Sequence, residues 1–156
     1  MSLKKSILHK ILWVYSAFLF LFVAVKFNGS FSDITSRVNS IMENRRDGIW
    51  NFNLVPFLSI APQLRHITEW WSLKNIIGNI FLFIPLGFLV PLIYINAQRF
   101  YKTFLITFLS VLLIETFQLF TMLGVFDIDD IILNCTGGII GYFLFYILKK
   151  YIFEIE

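Results

Sequence analysis

The side chains best suited to chemistry in this sequence are acids that lie within or beside long apolar segments. Glu115 and Gln118 interrupt an otherwise uncharged run, and residues three apart lie on nearly the same face of a helix. An acid inside a membrane span costs about 2.5–3.5 kcal/mol on insertion scales, so Glu115 is a functional candidate by default. Asp127 and Asp130 follow it closely. We predict that these three acids are the candidate catalytic groups.

The acids near residue 130 have both a functional and a structural interpretation. If the last apolar helix begins near Asp127, then Asp127, Asp130 and Asn134 share one stripe of its surface, whereas Asp129 points away. Such a stripe would present two carboxylates to a ligand. Alternatively, Asp127 is a natural N-cap, and acids in the first turn of a helix are stabilised by its dipole. The sequence leaves both interpretations open.

The protonation state of these acids determines what they could do. An acid that is buried alone stays neutral and can donate a proton, whereas an acid beside an arginine stays ionised. Arg45 and Arg46 fall on the same side of the predicted bundle as the acids, and a guanidinium binds phosphate in a bidentate way. We therefore expect both arginines to be ligands for a phosphate group. No cofactor is predicted, although ionised Asp127 and Asp130 would suit a divalent cation.

Side-chain amides complete the predicted ligand-binding set, which comprises Asn53, Asn79, Gln118 and Asn134. No GxSxG, HExxH or Walker motif is present, so the sequence points to no familiar hydrolytic or nucleotide-binding chemistry. The single cysteine, Cys135, cannot form an internal disulfide and is expected to be a small buried residue. These residue types therefore predict a site without predicting its reaction.

The composition explains why the polar groups stand out. Of the 156 residues, 58% are hydrophobic and only 15% are charged, against about 25% in a typical soluble domain. This balance excludes a disordered chain, a coiled coil and a basic nucleic-acid-binding domain. The formal charge of +3 gives no support to a nucleic-acid partner. The chain is therefore predicted to be an integral membrane protein.

Four apolar segments are long enough to cross a membrane. A span needs about 20 apolar residues, and in lipid it must be helical because the backbone has to satisfy its own hydrogen bonds. The predicted helices cover about residues 7–26, 76–95, 103–123 and 129–148. We predict an all-α membrane protein whose residues 1–156 form a single domain. A signal peptide is the alternative for the first segment, but no clear cleavage site follows it.

The distribution of lysine and arginine predicts the orientation of the bundle, because short cytoplasmic loops are enriched in both. Seven lie in short segments on one side: Lys4, Lys5, Lys10, Arg99, Lys102, Lys149 and Lys150. Six are spread through a long segment on the other side: Lys26, Arg37, Arg45, Arg46, Arg65 and Lys74. We predict that both termini are cytoplasmic and that residues 28–75 form an extracytoplasmic loop.

The extracytoplasmic loop is too long for a bare connection between helices, which usually takes about 2–8 residues. Residues 33–46 have the periodicity of an amphipathic helix on the membrane surface. Residues 51–57 are apolar but contain a proline, which is typical of an interfacial or re-entrant elbow. After Pro62, apolar residues again recur at helical spacing, and Trp70 and Trp71 fit the headgroup level. The loop is either a capping layer over the bundle or a lid that grips a ligand.

The spans differ between the two halves of the predicted bilayer. Every strongly polar intramembrane group falls in the outer half, and the inner halves of the last three spans are almost wholly apolar. We therefore expect the site at the outer face and no transport path through the inner half. Gly137 and Gly141 are predicted to allow close approach of a neighbouring helix, and Pro85 and Pro91 to kink the second span.

The polar and glycine-rich motifs together resemble the VanZ-like family, in the right order and over about residues 45–148. The matching motifs are Asn53-Leu54-x-Pro56-Phe57, Asn75-x-x-Gly78-Asn79-Ile80-x-Leu82-Phe83-Ile84-Pro85-Leu86-Gly87, Glu115-x-x-Gln118 and Asp127-x-Asp129-Asp130-x-x-x-Asn134-x-x-Gly137-Gly138-x-x-Gly141. In places the family carries an arginine just before the acidic loop, where this chain has Gly124-Val125-Phe126. Any role of that arginine would have to come from the first loop.

The resemblance carries expectations about function. The family is named for a bacterial protein linked to resistance to teicoplanin, a glycopeptide antibiotic that acts at the outer face of the membrane. It implies a multi-pass protein of the bacterial plasma membrane but no established reaction, so enzymatic activity stays an open question. We expect Glu115 and Asp130 to be the central acids of an outer-leaflet pocket that binds or modifies a membrane lipid or lipid-linked envelope precursor. The alternative is a non-catalytic scaffold or a subunit of an envelope-assembly complex.

Overall fold

The computed structural model describes residues 3–25 and 30–153, and this part of the chain is mostly helical. Within it, four helices are long and apolar enough to cross a membrane: Ser6–Ala24, Trp70–Ile93, Phe100–Thr121 and Ile128–Lys150. The predicted class, an all-α protein with four membrane-spanning helices, is therefore confirmed. The predicted end of the first helix at residue 26 lies outside the described residues.

The described part of the chain contains, in order, six α-helices and two short strands. They are α1 (Leu3–Leu19, extended by a π-helical turn at Phe20–Ala24), α2 (Phe31–Arg46), β1 (Phe52–Asn53), α3 (Ile60–Arg65), α4 (Trp70–Ile93), α5 (Phe100–Thr121), β2 (Phe126–Asp127) and α6 (Ile128–Phe153), with a 3-10 turn at Ile95–Ala97 between α4 and α5.

Two spanning helices are longer than their apolar segments predict. Helix α4 begins at Trp70 instead of residue 76, and α6 continues to Phe153 instead of residue 148. The extra turns contain polar residues such as Lys74 and Lys150. Hydropathy predicts the part of a helix that is immersed in lipid, whereas backbone hydrogen bonding continues into the aqueous layer at each end.

Neighbouring spans are antiparallel, which gives the bundle two distinct ends. The ring of His9 near the start of α1 contacts that of Tyr94 at the end of α4, with centroids 5.4 Å apart. Farther along α1, the hydroxyl of Tyr15 donates to the carbonyl of Leu82. We call the end that carries α2, residues 47–69 and β2 the loop end. The end that carries the start of α1 and the end of α6 is the termini end.

Helices α4 and α6 form the closest interface of the bundle. A Cβ atom added to Gly141 would lie 2.0 Å from the carbonyl oxygen of Ile84, and one added to Gly137 would lie 2.0 Å from that of Ile80. The two backbones therefore touch, and only glycine fits between them. This contact confirms the predicted packing role of both glycines. Pro85 lies inside α4, which continues through it without a break.

The long loop is partly as predicted. The amphipathic helix is confirmed as α2, in which Ile41 is buried and Arg46 is exposed. The helical spacing after Pro62 does not correspond to one helix, because α3 ends at Arg65 and the chain turns before α4 begins. Leu64 and Ile67, the apolar residues that follow Pro62 at helical spacing, are exposed. They therefore do not form the buried face that such a spacing usually indicates.

Strands β1 and β2 connect the long loop to the segment before α6. They are parallel, with Phe52 opposite Phe126 and Asn53 opposite Asp127. In addition, the backbone N–H of Phe126 donates to the carbonyl of Asn51 at 3.0 Å. Two residues per strand are too few for a periodic sequence pattern, so this pairing was not predictable. It places the elbow at residues 51–57 directly beside the acidic residues that precede α6.

Candidate functional site

The acids Glu115, Asp127, Asp129 and Asp130, with the residues that bond to them, form what we call the loop-end cluster. Asp129 makes the most hydrogen bonds to the long loop. Its side chain is buried, and its carboxylate accepts hydrogen bonds from the backbone N–H groups of Phe57 at 2.6 Å, Ser59 at 2.7 Å and Ile60 at 3.0 Å. Helix α3 begins at Ile60. The first N–H groups of a helix have no partner within it, and its dipole favours a negative charge there. Asp129 therefore caps α3 from a different part of the chain.

Asp127 joins the same two segments and also begins α6. One carboxylate oxygen accepts from the side-chain amide of Asn53 at 3.1 Å and from the backbone N–H of Asp129 at 2.9 Å. The other accepts from the hydroxyl of Ser59. The bond to the N–H of Asp129, two residues along, is that of an N-cap. The structural interpretation of Asp127 is therefore confirmed.

Glu115 and Asp130 lie on the bundle side of the cluster. Glu115 is fully buried, and its Oε2 accepts a hydrogen bond from the backbone N–H of Asp127 at 3.0 Å. Asp130 is only 7% exposed, and its Oδ1 accepts from the side-chain amide of Asn79 at 2.9 Å. Glu115 thus fixes the start of α6 against α5, and the Asn79–Asp130 bond joins α4 to α6.

Gln118 contacts the first span. Its Nε2 donates to the carbonyl oxygens of Val23 at 2.8 Å and Ala24 at 3.4 Å, both in the π-helical turn. A π-helical turn disrupts the regular hydrogen-bond ladder, and such turns are frequent at functional sites. The predicted ligand-binding residue Gln118 therefore also holds the end of α1 against α5.

Asn134 differs from the other amides of the site because its side chain makes no hydrogen bond to the described residues. Its side chain is fully buried, and neither its Oδ1 nor its Nδ2 has a hydrogen-bond partner among the described residues. Oε1 of Gln118 and Oγ1 of Thr107 are also buried without a partner in that part of the chain. Buried polar atoms are almost always hydrogen-bonded in native proteins. Thr107 and Gln118 lie about 16 Å apart along α5, so these unsatisfied atoms occur at different levels of the bundle.

The two arginines predicted to bind phosphate are placed differently. The guanidinium of Arg45 donates to Oδ1 of Asn51 at 2.6 and 2.9 Å and to the carbonyl of Leu119 at 2.6 Å, and it lies 4.9 Å from the ring centroid of Trp50. Arg46 is exposed. The structure therefore holds Arg45 against the end of α5 and leaves Arg46 accessible to a ligand.

A second arginine of α2 also reaches the end of α5. Arg37 donates to the carbonyl of Leu123 at 3.0 Å and, more weakly, to that of Val25 at 3.4 Å. The last carbonyls of a helix lack partners and favour positive charge. Arg37 and Arg45 of the first loop therefore bond to carbonyls of Leu123 and Leu119, just before the Gly124-Val125-Phe126 segment.

A divalent cation has no evident binding site in the described part of the chain, where no group of three or more His, Cys, Asp or Glu side chains is arranged to hold a metal ion. Asp127 and Asp130, the pair considered for this role, accept hydrogen bonds from Asn53 and Asn79. The geometry adds no support to the divalent cation that these two acids would suit.

Three residues of the site were not predicted from the sequence. Asp129 is not among the predicted site residues, because it points away from the stripe of Asp127 and Asp130. In the structure that direction is towards the loop. Asn51 donates to the carbonyl of Gly124 at 2.7 Å, and Ser59 bonds both neighbouring aspartates. The acidic motif gave a signal for Asp129, and the proline-containing elbow, whose irregular backbone needs hydrogen-bond partners, gave one for Asn51 and Ser59.

Comparison with known proteins agrees with the motifs. Neither a curated protein nor a solved structure matches the sequence significantly. The sequence profile of the VanZ/LLP1 family matches residues 12–149, which is most of the chain. The matched region includes most of the first spanning helix, the second and third in full, nearly all of the fourth, the long loop and every residue of the site described above. This multi-pass membrane protein therefore belongs to the VanZ-like family.

Proposed function

We propose that this protein lies in a bacterial plasma membrane and engages a cell-envelope lipid or lipid-linked precursor through its loop-end cluster. In doing so it would reduce susceptibility to teicoplanin-like lipoglycopeptides. Family membership supports the antibiotic part of the proposal. The location of the cluster supports the lipid part, since the predicted topology places the loop end in the outer leaflet, where such antibiotics act.

The burial of Glu115 in a spanning helix is the observation that carries this proposal. The side chain is 0% exposed, whereas an acid within a span costs about 2.5–3.5 kcal/mol. A second acid, Asp130, lies nearby on α6 and is also buried. If Glu115 and Asp130 only had to pack, apolar residues at both positions would stabilise the bundle equally well. Two acids retained at this depth are better explained by a ligand or a reaction.

The surroundings of the acids fit an amphipathic ligand. The elbow held by Asp127 and Asp129 exposes Leu54 (57%), Phe57 (60%) and Leu58 (58%), which would contact acyl chains. Arg46 would bind a phosphate in the headgroup, since it is exposed at the end of α2 and a guanidinium can form two hydrogen bonds to phosphate. Glu115 and Asp130 would face the remaining polar part of the headgroup.

Antibiotic susceptibility tests the site. We expect the wild-type protein, produced in a sensitive Gram-positive host, to lower teicoplanin susceptibility, and Glu115→Gln and Asp130→Asn to lose most of that effect. Glu43→Gln is the matched control, because Glu43 is exposed on α2 and should behave as wild type. Membrane levels of all variants must be equal. Full protection by both site variants would exclude this assignment of the acids.

Lipid analysis separates the two forms of the proposal. If an acid serves as general acid or base in modifying a lipid, envelope lipids from cells with and without the protein will differ by mass spectrometry. If the protein only binds the lipid, the lipid profile will be unchanged, and the ligand will be found in gently purified protein. Binding of no lipid at all would contradict both forms.

A non-catalytic scaffold or subunit of an envelope-assembly complex is the second candidate. It is favoured because Asp127, Asp129 and Arg45 all hydrogen-bond to other parts of the chain, which is a structural role. A scaffold predicts that the protein purified alone in detergent is unstable and that a stable protein partner copurifies with it. A stable, monodisperse protein without a partner would argue against this candidate.

A further inference from the structure

Helices α5 and α6 are antiparallel, and two contacts give their register. The backbone N–H of Asp127 bonds to Glu115 at 3.0 Å, and a Cβ atom added to Gly138 would lie 2.4–3.1 Å from the side chain of Thr107. Both helices rise by 1.5 Å per residue. In this register Asn134 lies level with Val111, one turn from Thr107.

Polar groups recur every turn along this interface. On α6 the spacing of four brings Asp130, Asn134 and Tyr142 onto one stripe, with Gly138 between the last two. On α5 the buried side chains of that stripe are Glu115, Val111, Thr107 and Thr103. We call this set of eight residues the polar seam. It extends into the half of the bundle that the apolar runs predict to lack polar groups, because Thr103, Thr107 and Tyr142 lie within those runs and are buried.

Residues at both ends of the seam are hydrogen-bonded to groups outside it. At the termini end, the hydroxyl of Tyr142 donates to the carbonyl of Gln98 at 2.9 Å, and Lys149 donates to the side chain of Gln98 at 2.7 Å. At the loop end, Glu115 accepts from the backbone N–H of Asp127, a residue that is half-buried. Polar groups thus occur at each level of the seam, from Glu115 to Tyr142.

The middle of the seam is where hydrogen bonds are missing. Both amide atoms of Asn134 and the hydroxyl of Thr107 are buried without a partner among the described residues. A buried polar atom left unsatisfied costs about 1–3 kcal/mol, and water molecules satisfy such atoms in native proteins. An amide and a hydroxyl about one helical turn apart offer a water two to three polar partners, which is the usual number.

We propose that the seam binds a file of water molecules at Asn134 and Thr107, and that this file carries protons between the two ends of the bundle. Each water or hydroxyl accepts one proton and releases another, so the file is unchanged while one proton moves along it. Chains of acids and polar groups serve as proton relays in membrane proteins. The water site does not rest on the proposed lipid or antibiotic function.

Radiolytic footprinting tests for the bound water. X-ray pulses generate hydroxyl radicals from ordered water, and Cys135, which follows Asn134 and packs in the same core as Val111, is a reactive reporter. We expect oxidation of Cys135 in the wild-type protein in detergent and a several-fold decrease in the double variant Asn134→Leu, Thr107→Val. The control is Thr136→Val, whose hydroxyl is already bonded to the carbonyl of Ile132 at 2.7 Å.

Either of two results would overturn the water site: no oxidation of Cys135 in the wild type, or equal oxidation in the wild type and the double variant. Melting temperature and elution profile identify variants that fail to fold. If the double variant does not fold, the single variant Asn134→Gln, which keeps the amide but lengthens the side chain into the water position, should also decrease the oxidation.

Proton movement is measured separately in vesicles. Purified protein is reconstituted into liposomes that contain a pH-sensitive dye, and acid is added outside. We expect the interior to acidify several-fold faster with the wild type or Thr136→Val than with the double variant. Equal rates would overturn the proton path. Neither assay uses an antibiotic or an envelope lipid, so failure here is distinguishable from failure of the proposed function.

Discussion

At the scale of single residues, the acids of the loop end have different tasks despite lying within sixteen positions of one another. Asp129 caps α3, Asp127 caps α6, and Glu115 holds the backbone of Asp127. Asp130 bonds a side chain of α4. The residue types indicated that these acids matter, but their types alone do not distinguish a cap from a ligand.

Substitution of Asp129 tests the capping role. Asp129→Asn removes the charge and turns one acceptor oxygen into a donor that faces backbone N–H groups. Because a hydrogen bond to a charged group contributes about 1.5–3 kcal/mol, we expect destabilisation of that size. Hydrogen exchange should accelerate at the amides of Phe57, Ser59 and Ile60. Asp47→Asn, at an exposed position after α2, is the control and should leave that exchange unchanged. Unchanged protection in Asp129→Asn would refute the capping role.

At the scale of the elements, the contact between α4 and α6 sets the geometry of the site. Glycines at the interface bring the two backbones together, and this places Asn79 of α4 within 2.9 Å of Asp130 of α6. Helices in lipid gain little from apolar burial against each other, so close van der Waals packing of this kind is what joins them. The motif of Gly137 and Gly141 predicted such a contact, but not which helix would provide its other side.

A pair of glycine substitutions separates packing from helix propensity. The Cβ atom of Gly141→Ala would lie 2.0 Å from the carbonyl of Ile84, and backbone atoms cannot move aside without separating the helices. We expect a loss of about 1–3 kcal/mol in stability, the usual cost of overpacking. Gly78→Ala meets nothing within 4 Å and should stabilise α4 by up to about 1 kcal/mol. Melting curves in detergent measure both, and shifts of the same sign would contradict the packing argument.

At the scale of the whole molecule, the long loop is hydrogen-bonded to the helices of the bundle at several points. Residues 51–60 are bonded to the segment before α6, and Arg37 and Arg45 of α2 are bonded to the end of α5. The capping-layer interpretation of the loop is therefore supported by its contacts. The lid interpretation concerns a ligand and belongs to the proposed function.

Orientation in the membrane is a prediction for the molecule as a whole. The higher density of lysine and arginine at the termini end predicts that this end is cytoplasmic. In a Cys135→Ser background, we expect Ser32→Cys on α2 to react with a membrane-impermeant maleimide in intact cells. Lys150→Cys should react only after permeabilisation. Both parent residues are exposed, so accessibility alone does not decide the outcome. The reverse labelling pattern would place the loop end in the cytoplasm.

Properties that depend on short stretches of sequence were predictable. Apolar runs of spanning length predicted four helices, and the position of Asp127 at a helix start made an N-cap one of its two interpretations. The family resemblance likewise follows from motifs that can be read along the chain. Each depends on hydropathy or on residues a few positions apart, which local geometry relates directly.

Only the tertiary structure decided which groups meet. Asp129 and Phe57 are 72 positions apart, and Gln118 and Val23 are 95 apart, so no local periodicity relates them. The same holds for the polar seam, because Thr107 and Asn134 become neighbours only when α5 and α6 pack antiparallel. The sequence alone determined that this is a four-span membrane protein with scarce polar groups. Packing decided which of these groups bond to one another and which are left for water, since that depends on contacts between distant segments.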